Sequence, residues 1–387
     1  MTALDDFITE QGARLLAFRR DLHAHPELGR HEFRTTERLV GELTAAGLAP
    51  RVLPGGTGLV CDIGSGAPVL GLRADLDALP IADGKAVDYR STVDGVCHTC
   101  GHDVHSTVVL GAGLFLARLA AAGALPRGVR LVFQPAEEVM PGGALDVIAA
   151  GGLDGLERMY TVHCDPAIDV GRVGLRVGAV TSATDQIEVR VHGPGGHTAR
   201  PHRTADLVTA IGDVVARVPG ILGRRVDPRA GVNLVWGEVH AGSAANVIPR
   251  SGVVRGTLRM LDRGVWETVP AVLDAVVREV AMPYGVQVEV DHVRGVPPVV
   301  NDAQSVAELA AAATRISADA VTDTVQSLGG EDFGWFLEKV PGALARLGVR
   351  TPGTPAVDLH QPTFDVDDAC LEVGVRLLAE VCLLPGA

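Results

Sequence analysis

The sequence lacks the excess of basic residues that a nucleic-acid-binding surface needs. Its 387 residues include 34 Lys and Arg against 47 Asp and Glu, and the formal net charge is −13 at pH 7. Affinity for nucleic acid depends mainly on clustered Lys and Arg side chains that neutralise phosphates. We therefore exclude nucleic acid as a partner.

Long apolar runs and targeting segments are also missing. No run reaches the roughly 18 residues of a membrane span, and Arg118 interrupts the apolar stretch VVLGAGLFLARLAAAGAL. The N-terminus shows neither the apolar h-region nor the small-residue cleavage pattern of a signal peptide. We expect a cytoplasmic protein without a membrane partner.

The order of apolar patterns predicts an α/β domain. With 387 residues, of which 47% are hydrophobic, the chain is long enough for two domains. Two apolar runs end in paired carboxylates, Asp75 with Asp77 and Glu137 with Glu138, and a helical pattern lies between them. The order strand, helix, strand predicts a mostly parallel sheet, and such sheets bind ligands at the carboxyl ends of their strands.

The middle of the chain has a different pattern, which predicts a second domain. The segment DQIEVRVHG alternates apolar and polar residues, as a strand with one solvated face does. The patterns that follow complete the order β-α-β-β-α-β of a ferredoxin-like α+β domain. We predict an insertion over residues 181–296 within a discontinuous first domain, residues 1–180 and 297–387.

The segment CHTCGHDVHS, residues 97–106, concentrates side chains that can bind metals. A redox pair stays open as an interpretation, because Cys97 and Cys100 have C-x-x-C spacing. A closed structural zinc site lacks a second ligand pair within about 20 residues. A zinc deaminase would need H-x-E followed by P-C-x-x-C, and the chain has neither in that order.

An open catalytic metal site is the remaining interpretation, beside a simpler one in which these are buried structural residues. Its further ligands would come from segments that follow predicted strands, namely Glu137, Glu138, His163 and His360. In an adjacent pair of carboxylates, one can hold an ion while the other takes a proton from water. Because all of these ligand-type residues follow predicted strands, together they favour the catalytic site over the structural interpretation.

Short segments along nearly the whole chain carry a resemblance to a known family. In order, they are FRRDLHAHPELG, GLRADLDALPI, CHTCGHDVHS, FQPAEE, GPGGHTARPH, NVIP with GTLR, GGEDF and LHQPTFD. Together they resemble the amidohydrolase branch of the M20 metallopeptidases, which contains hippurate hydrolases, N-acyl-amino-acid aminoacylases and auxin-conjugate hydrolases.

This resemblance implies a site for two divalent metal ions, which would be zinc, manganese, nickel or cobalt. The Cys100 thiolate would lie between the two ions, and Glu137 would be the general base. Asp75 and Asp77 would orient ligands from behind. The complete set of implied metal ligands is Cys100, His102, Glu138, His163 and His360.

The resemblance also implies that the inserted domain is a lid that serves for dimerisation, so a homodimer or a higher homo-oligomer is expected. His197 would reach the substrate or its oxyanion, while Asn246 and Arg259 would hold the substrate's carbonyl and carboxylate. The expected substrate is an N-acyl amino acid or a related small amide, cleaved to a carboxylic acid and an amine. A metallo-dipeptidase or carboxypeptidase and a non-catalytic metal-binding protein are the alternatives.

Two cysteines depart from the pattern of the resembled family. Cys97 stands where the family usually has Met, and Cys164 follows His163 where Val is commoner. These thiols could narrow the pocket, and a Cys97–Cys100 disulfide would destroy the metal site. We expect them to affect the shape of the pocket rather than the type of reaction.

Overall fold

The computed structural model describes residues 2–385, which form two compact units. One unit comprises the chain up to Gly178, Val300–Val325 and the chain from Asp332 onward. The other comprises Ala179–Val299 and Gln326–Glu331. The sequence patterns predict boundaries after residues 180 and 296.

The short segment Gln326–Glu331 belongs to the second unit, although the sequence patterns assign it to the first domain. The backbone N–H of Ser327 donates to the Val180 carbonyl at 2.8 Å, and the Ser182 hydroxyl donates to the Leu328 carbonyl, also at 2.8 Å. Most of these partners are backbone groups, which leave no signal in the sequence pattern.

The first part of the chain alternates helices and strands, and its central helix follows the cysteine- and histidine-rich segment. Its elements are α1 (Ala3–Ala24), α2 (Phe33–Ala45), β1 (Arg51–Val52), β2 (Leu59–Ile63), β3 (Pro68–Asp75), α3 (His102–Ala121), β4 (Gly128–Gln134), α4 (Ala144–Ala149), β5 (Arg158–Asp169), β6 (Val173–Leu175) and β7 (Gly178–Ala179).

The middle of the chain contributes the strands and helices of the second unit. They are β8 (Ala183–His192), β9 (Gly196–His197), α5 (Leu207–Arg225), β10 (Asn233–Ala241), β11 (Val247–Ile248), β12 (Ser251–Met260), α6 (Arg263–Ala281) and β13 (Gln287–Val296). Short 3-10 turns lie at Pro201–Arg203, Pro228–Ala230 and Met282–Tyr284.

The last part of the chain adds further strands and helices. They are β14 (Val300–Asn301), α7 (Ala303–Ile316), β15 (Val321–Asp323), α8 (Phe333–Leu337), β16 (Gly342–Arg350) and α9 (Cys370–Cys382). Several helices begin at an aspartate in the N-cap position, whose carboxylate accepts a backbone N–H group of the first turn. These N-caps are Asp206 for α5, Asp262 for α6 and Asp302 for α7.

The first unit is built on an eight-stranded sheet with the order β1-β2-β4-β3-β5-β16-β6-β15. In its centre, β3 pairs in parallel with both β4 and β5, and β5 pairs in parallel with β16. Antiparallel pairs occur between β1 and β2, between β2 and β4, and between β16 and β6. The predicted α/β class with a mostly parallel sheet is confirmed.

The second unit contains a four-stranded antiparallel sheet with the order β10-β12-β8-β13. Its chain order is β-α-β-β-α-β once the short strands β9 and β11, which pair with each other, are set aside. Along β8 the buried residues Ile187, Val189 and Val191 alternate with partly exposed polar residues. This alternation gives the sheet one apolar face, as the period of two requires.

Helix α3 is the central helix of the first unit and is buried over most of its length. Its length and mean hydropathy would suffice for a membrane span, but 72% of the apolar window is buried inside the protein. Core helices of water-soluble proteins have the same properties. A Cβ added at Gly111 would lie 3.0 Å from Leu15 of α1 and 2.7 Å from Val375 of α9, so both helices pack closely on α3.

The same helix approaches the sheet at Gly113. A Cβ added there would lie 2.3 Å from Cδ1 of Leu131, a fully buried residue of β4. Interiors are close-packed, so Leu131 has little room to move away. The glycine at this position therefore allows α3, which begins at His102, to lie close to the strand that leads to the Glu137–Glu138 pair.

We expect Gly113→Ala to lower the free energy of unfolding by about 1–3 kcal/mol, because overpacking outweighs the helix-propensity gain of about 1 kcal/mol. The matched control is Gly12→Ala in α1, where nothing lies within 4 Å of the added Cβ. The control should raise stability by up to about 1 kcal/mol. Denaturant unfolding of the two variants measures both effects, and a Gly113→Ala variant as stable as the control would contradict the packing argument.

Candidate metal centre

The loop after β4 carries the adjacent acids Glu137 and Glu138. Ala136 has a φ of +53°, in the left-handed region, and its backbone N–H donates to Oε1 of Glu32 at 2.7 Å. The Gly143 N–H closes the loop by donating to the Ala136 carbonyl at 2.9 Å. Glu32 is buried and belongs to no motif, so sequence reasoning missed it.

The carboxylate of Asp77 connects this loop to helix α3. Its Oδ1 accepts the backbone N–H of Glu137 at 3.1 Å, and its Oδ2 accepts that of Glu138 at 2.9 Å. Nδ1 of His102 lies 3.2 Å from Oδ1. Asp77 thus directs the Nε2 atom of His102 toward the acid pair, 3.9 Å from Oε2 of Glu137 and 4.0 Å from Oε1 of Glu138.

The electrostatic environment of His102 is negative. Burial opposes protonation, but Asp75 and Asp77, with Glu138, more than offset that effect and raise the pKa of His102 to about 10. Its Nε2 atom is buried and has no hydrogen-bond partner among residues 2–385. A buried polar atom without a partner is rare in proteins, and here it faces carboxylates.

His163 on β5 faces the same space from the next strand. Its Nδ1 donates to the Cys164 carbonyl at 2.8 Å, which leaves Nε2 free to accept; this atom lies 3.6 Å from Sγ of Cys100. Burial and the neighbouring Arg346 and His105 hold the pKa of His163 well below its usual value. The imidazole is therefore neutral, as a metal ligand must be.

His360 approaches from the loop between β16 and α9. Its φ is +62°, and its backbone N–H donates to the Thr99 carbonyl at 2.8 Å, next to Cys100. This strained backbone is held by the Thr99 contact, and it brings Nε2 to 3.2 Å from Oε1 of Glu138. With 49% of its side chain exposed, His360 is the most accessible of the five predicted ligands.

The structure brings all five predicted metal ligands together. The ligand atoms of Cys100, His102 and His163 lie within 4.8 Å of one another, and so do those of Cys100, Glu138 and His360. Cys100 is common to both groups. Burial, with the charges of Glu138 and Glu137, raises the pKa of its thiol well above the usual value. A divalent cation would reverse this, because coordination deprotonates a thiol.

These residues fit a pair of divalent ions of the transition-metal type. The donors combine a thiol, imidazoles and a carboxylate, a set that suits zinc, manganese, cobalt or nickel better than the oxygen-preferring Mg²⁺ and Ca²⁺. The partnerless Nε2 of His102 supports this fit, because a cation would satisfy it.

Asp75 lies behind the ligands and is tied to the sheet. Its Oδ1 accepts from Nδ1 of His105 at 2.7 Å, and its Oδ2 accepts from Arg73 at 2.8 Å and lies 3.7 Å from Nε2 of His102. The other ring nitrogen of His105 accepts the Cys164 N–H at 2.9 Å. Both nitrogens of His105 are therefore occupied, and this histidine connects β3 to β5.

A buried network around Arg73 was also missed by sequence reasoning. Besides Asp75, its guanidinium donates to Gln134 at 2.9 Å and to Asp332 at 2.9 Å. Asp332 belongs to the GGEDF segment, and its presence in this motif was the signal in the sequence that could have identified it. The network joins the ends of β3 and β4 to the segment that begins α8.

The predicted substrate-binding residues lie in the second unit. His197 on β9 pairs opposite Val247 of β11, and the Thr198 N–H donates to the Asn246 carbonyl at 3.3 Å. The structure thus brings His197 and Asn246 together, and both are exposed. Arg259 lies on β12 of the other sheet, where it donates to the Leu328 carbonyl and to the Thr184 hydroxyl.

The two cysteines that depart from the family pattern are both buried free thiols. Sγ of Cys164 lies 2.7 Å from the position that a Cβ at Gly101 would take, beneath the start of α3. Sγ of Cys97 lies 3.5 Å from Nζ of Lys85 and 3.8 Å from Nε2 of His23. Neither belongs to the groups of ligand atoms around Cys100.

Comparison with known proteins gives a family and several full-length relatives. The profile of peptidase family M20/M25/M40 matches residues 71–383. An N-acetyl-L-cysteine deacetylase of Bacillus subtilis is 36% identical over 360 residues, which cover 92% of this chain and 85% of that protein. A solved Bacillus subtilis structure, described as a dinuclear metal binding peptidase from the M20 family, superposes with a TM-score of 0.85 at 31% identity and covers 97% of this chain and 98% of its own.

Another relative differs in length. A Rhodococcus jostii protein that carries the name of a glutamate–cysteine ligase is 47% identical over 374 residues, or 96% of this chain. The chain spans only 46% of the length of that protein. The matched profile covers most of the residues that form the first unit and the whole of the second. On these grounds the chain belongs to peptidase family M20/M25/M40.

Proposed function

We propose that the protein is a metal-dependent amidohydrolase that cleaves N-acyl amino acids or related small amides to a carboxylic acid and an amine. The observation that carries this proposal is the position of Glu137. It lies beside the five clustered donors, 3.9 Å from His102, while its backbone is fixed by Asp77. A site that only bound metal would have no need of this additional carboxylate.

Two ions would be held by the two groups of donors. One group is Cys100, His102 and His163, and the other is Cys100, Glu138 and His360. Cys100 belongs to both groups, so its sulfur would help to hold either ion. When bound, such ions act as Lewis acids that polarise a carbonyl and lower the pKa of water. The similarity to a structure described as dinuclear supports two ions rather than one.

Glu137 is the proposed general base. Its carboxylate would accept a proton from the attacking water and later deliver it to the leaving amine. Its neighbour Glu138 has a different task, because Oε1 of Glu138 faces His360 and His102 at 3.2 and 4.0 Å. The contact with His360 thus supports the role of metal ligand for Glu138 and leaves the role of proton carrier to Glu137.

Substrate recognition is proposed for three residues of the second unit. His197 would stabilise the developing oxyanion, Asn246 would hold the carbonyl, and the Arg259 guanidinium would bind a carboxylate. Arg259 already donates to Thr184 and Leu328, which fixes its orientation and leaves other N–H groups of its fork available. The resemblance, together with the exposure of His197 and Asn246, supports these roles. The dimeric state and the cytoplasmic location stay predictions.

A metallo-peptidase is the second candidate, because a structure at 31% identity is described as a peptidase. The substrate classes differ in charge at the group next to the scissile bond. A dipeptide carries a free ammonium there, whereas an N-acyl amino acid does not. The similarity to an N-acetyl-L-cysteine deacetylase favours the uncharged acyl group.

We expect hydrolysis of N-acetyl or longer N-acyl amino acids in preference to dipeptides. The measurement is amine release by reduced protein reconstituted with Zn²⁺, Mn²⁺, Co²⁺ or Ni²⁺, with and without a chelator. Chelation should abolish turnover. Dipeptide cleavage without N-acyl cleavage would favour the peptidase, and inactivity toward both classes by metal-loaded protein would contradict the proposal.

We expect Glu137→Gln to keep its metal and to lose roughly 10²–10⁴-fold in kcat, the usual contribution of a general base. Metal content by elemental analysis and steady-state kinetics check the two parts separately. The matched control is Glu157→Gln, an exposed glutamate of the same unit, which should change neither quantity. Near-normal turnover of the Glu137 variant would remove it as the base.

We expect His197→Ala to reduce kcat/KM by roughly 10²–10³-fold, as the loss of an oxyanion donor does. Its metal content and free energy of unfolding should not change, because the side chain is exposed and accepts a hydrogen bond from the nearby Ala199 N–H. His240→Ala, at another exposed histidine of the second unit, serves as the control. Kinetics identical to the parent protein would show that His197 is not involved in catalysis.

A further inference from the structure

The first unit contains a second group of ligand-type side chains that the proposed function does not use. It consists of His23 on α1, Asp83 and Cys97, and all three are buried. Nε2 of His23 lies 3.5 Å from Oδ2 of Asp83 and 3.8 Å from Sγ of Cys97. The three ligand atoms lie within 4.8 Å of one another.

These separations are close to those that one tetrahedral ion would impose. With zinc-to-ligand bonds of about 2.0–2.3 Å, tetrahedral angles separate nitrogen, oxygen and sulfur ligands by roughly 3.4–3.6 Å. The observed 3.5 and 3.8 Å differ from these values by a few tenths of an ångström at most. Small side-chain movements would therefore complete the geometry.

The ring of His23 is oriented as a metal-binding imidazole is. Its Nδ1 donates to Oδ2 of Asp103 at 2.8 Å, and the same oxygen accepts from Nε of Arg19 at 2.7 Å. A carboxylate behind the ring fixes the tautomer, and it leaves Nε2 directed toward Asp83 and Cys97.

The other two ligands are held by backbone contacts. Oδ2 of Asp83 accepts the Ser91 N–H at 3.0 Å. Cys97 forms two backbone hydrogen bonds with Leu79, both of 3.1 Å. The positions of the carboxylate and the sulfur thus depend on the fold rather than on an ion.

His98, the residue after Cys97, is a buried imidazole near the ring of His23. It is 2% exposed, and within the part of the chain that the structure describes neither of its ring nitrogens has a hydrogen-bond partner. Its ring centroid lies 6.2 Å from that of His23. An imidazole with both nitrogens buried and unsatisfied costs free energy, unless something else occupies the space beside it.

Lys85 supplies a positive charge to the group. Its Nζ lies 3.1 Å from Oδ1 of Asp83 and 3.5 Å from Sγ of Cys97. An ammonium among these ligands shows that the position favours a cation. It also competes with a metal ion for the same carboxylate and sulfur.

We propose that His23, Asp83 and Cys97 form a third cation site for a divalent ion of the zinc type. The site lies within the first unit, shares no ligand with the paired metal centre, and connects α1 to the segments before α3. Binding would release the protons of the Cys97 thiol and of Nε2 of His23 to solvent, and it would displace the Lys85 ammonium from Asp83 and Cys97. The thiol donor favours zinc-type ions over Mg²⁺ and Ca²⁺.

The test is the number of zinc ions bound per chain after equilibration with excess Zn²⁺ and desalting, measured by elemental analysis of reduced protein. The parent protein should hold one equivalent more than Cys97→Ala. Cys61→Ala, at a buried cysteine of β2, is the matched control and should hold as many as the parent. The readout is a difference in metal content, so it is independent of whether amide hydrolysis is found. Equal zinc content in the parent and in Cys97→Ala would overturn the proposal.

A second variant, Lys85→Met, tests the same site even if the Cys97→Ala protein does not fold. Lys85→Met removes the competing ammonium and leaves all proposed ligands in place. It should tighten binding of the additional ion by roughly tenfold or more, because a positive charge beside the ligand atoms repels a cation strongly at about 4 Å, even at an effective dielectric constant of about 20. Zinc titration against a competing chelator measures this shift. An unchanged or weakened affinity of Lys85→Met would also overturn the proposal.

Discussion

The carboxylate of Asp77 is the constraint on which the candidate metal centre depends. It accepts the backbone N–H groups of Glu137 and Glu138 and contacts Nδ1 of His102. One side chain after β3 therefore sets the position of an acid pair after β4 and of a histidine at the start of α3. The parallel pairing of β3 with β4 makes this possible, because their carboxyl ends lie side by side.

Buried charge around this carboxylate is balanced by pairing. Arg73 bonds Asp75 and Asp332, while His105 joins Asp75 to the backbone of Cys164. A buried charge without a partner would cost several kcal/mol, so each member of the network depends on the others. The ends of β3, β4 and β5 are thereby held together by polar contacts. This rigidity is what a site for two ions requires, since its donors must already be close before the ions bind.

The sequence predicted those parts of the site that follow from regular patterns. Apolar runs that end in acids identified Asp75, Asp77, Glu137 and Glu138. Such a pattern, a strand-like run followed by a carboxylate, can be recognised from the amino-acid sequence alone. His163 and His360 were candidate ligands because they follow predicted strands, and the family resemblance then selected Cys100, His102 and Glu138 to complete the set; the structure places these side chains together. The mostly parallel sheet also followed from the alternation of strand and helix patterns.

Other features could not be predicted, because they depend on contacts between distant segments. Glu32 lies 104 positions before the Ala136 N–H that it accepts, and Arg73 lies 259 positions before Asp332. Nothing in the local sequence marks such a pair. The assignment of Gln326–Glu331 to the second unit rests likewise on backbone hydrogen bonds. Local patterns thus predict elements, whereas the contacts that hold the elements in register require the tertiary structure.

The two cysteines of CHTCGHDVHS have different neighbours because of where α3 begins. A thioredoxin-like pair would open a helix, so that residues three apart would share one face. Here α3 begins at His102, after both cysteines, and Cys97 pairs with Leu79 as part of an isolated bridge. The Thr99 N–H donates to the Cys97 carbonyl at 3.0 Å, so the chain turns between the two cysteines. Cys97 therefore has His23 and Lys85 as neighbours, whereas Cys100 has His163.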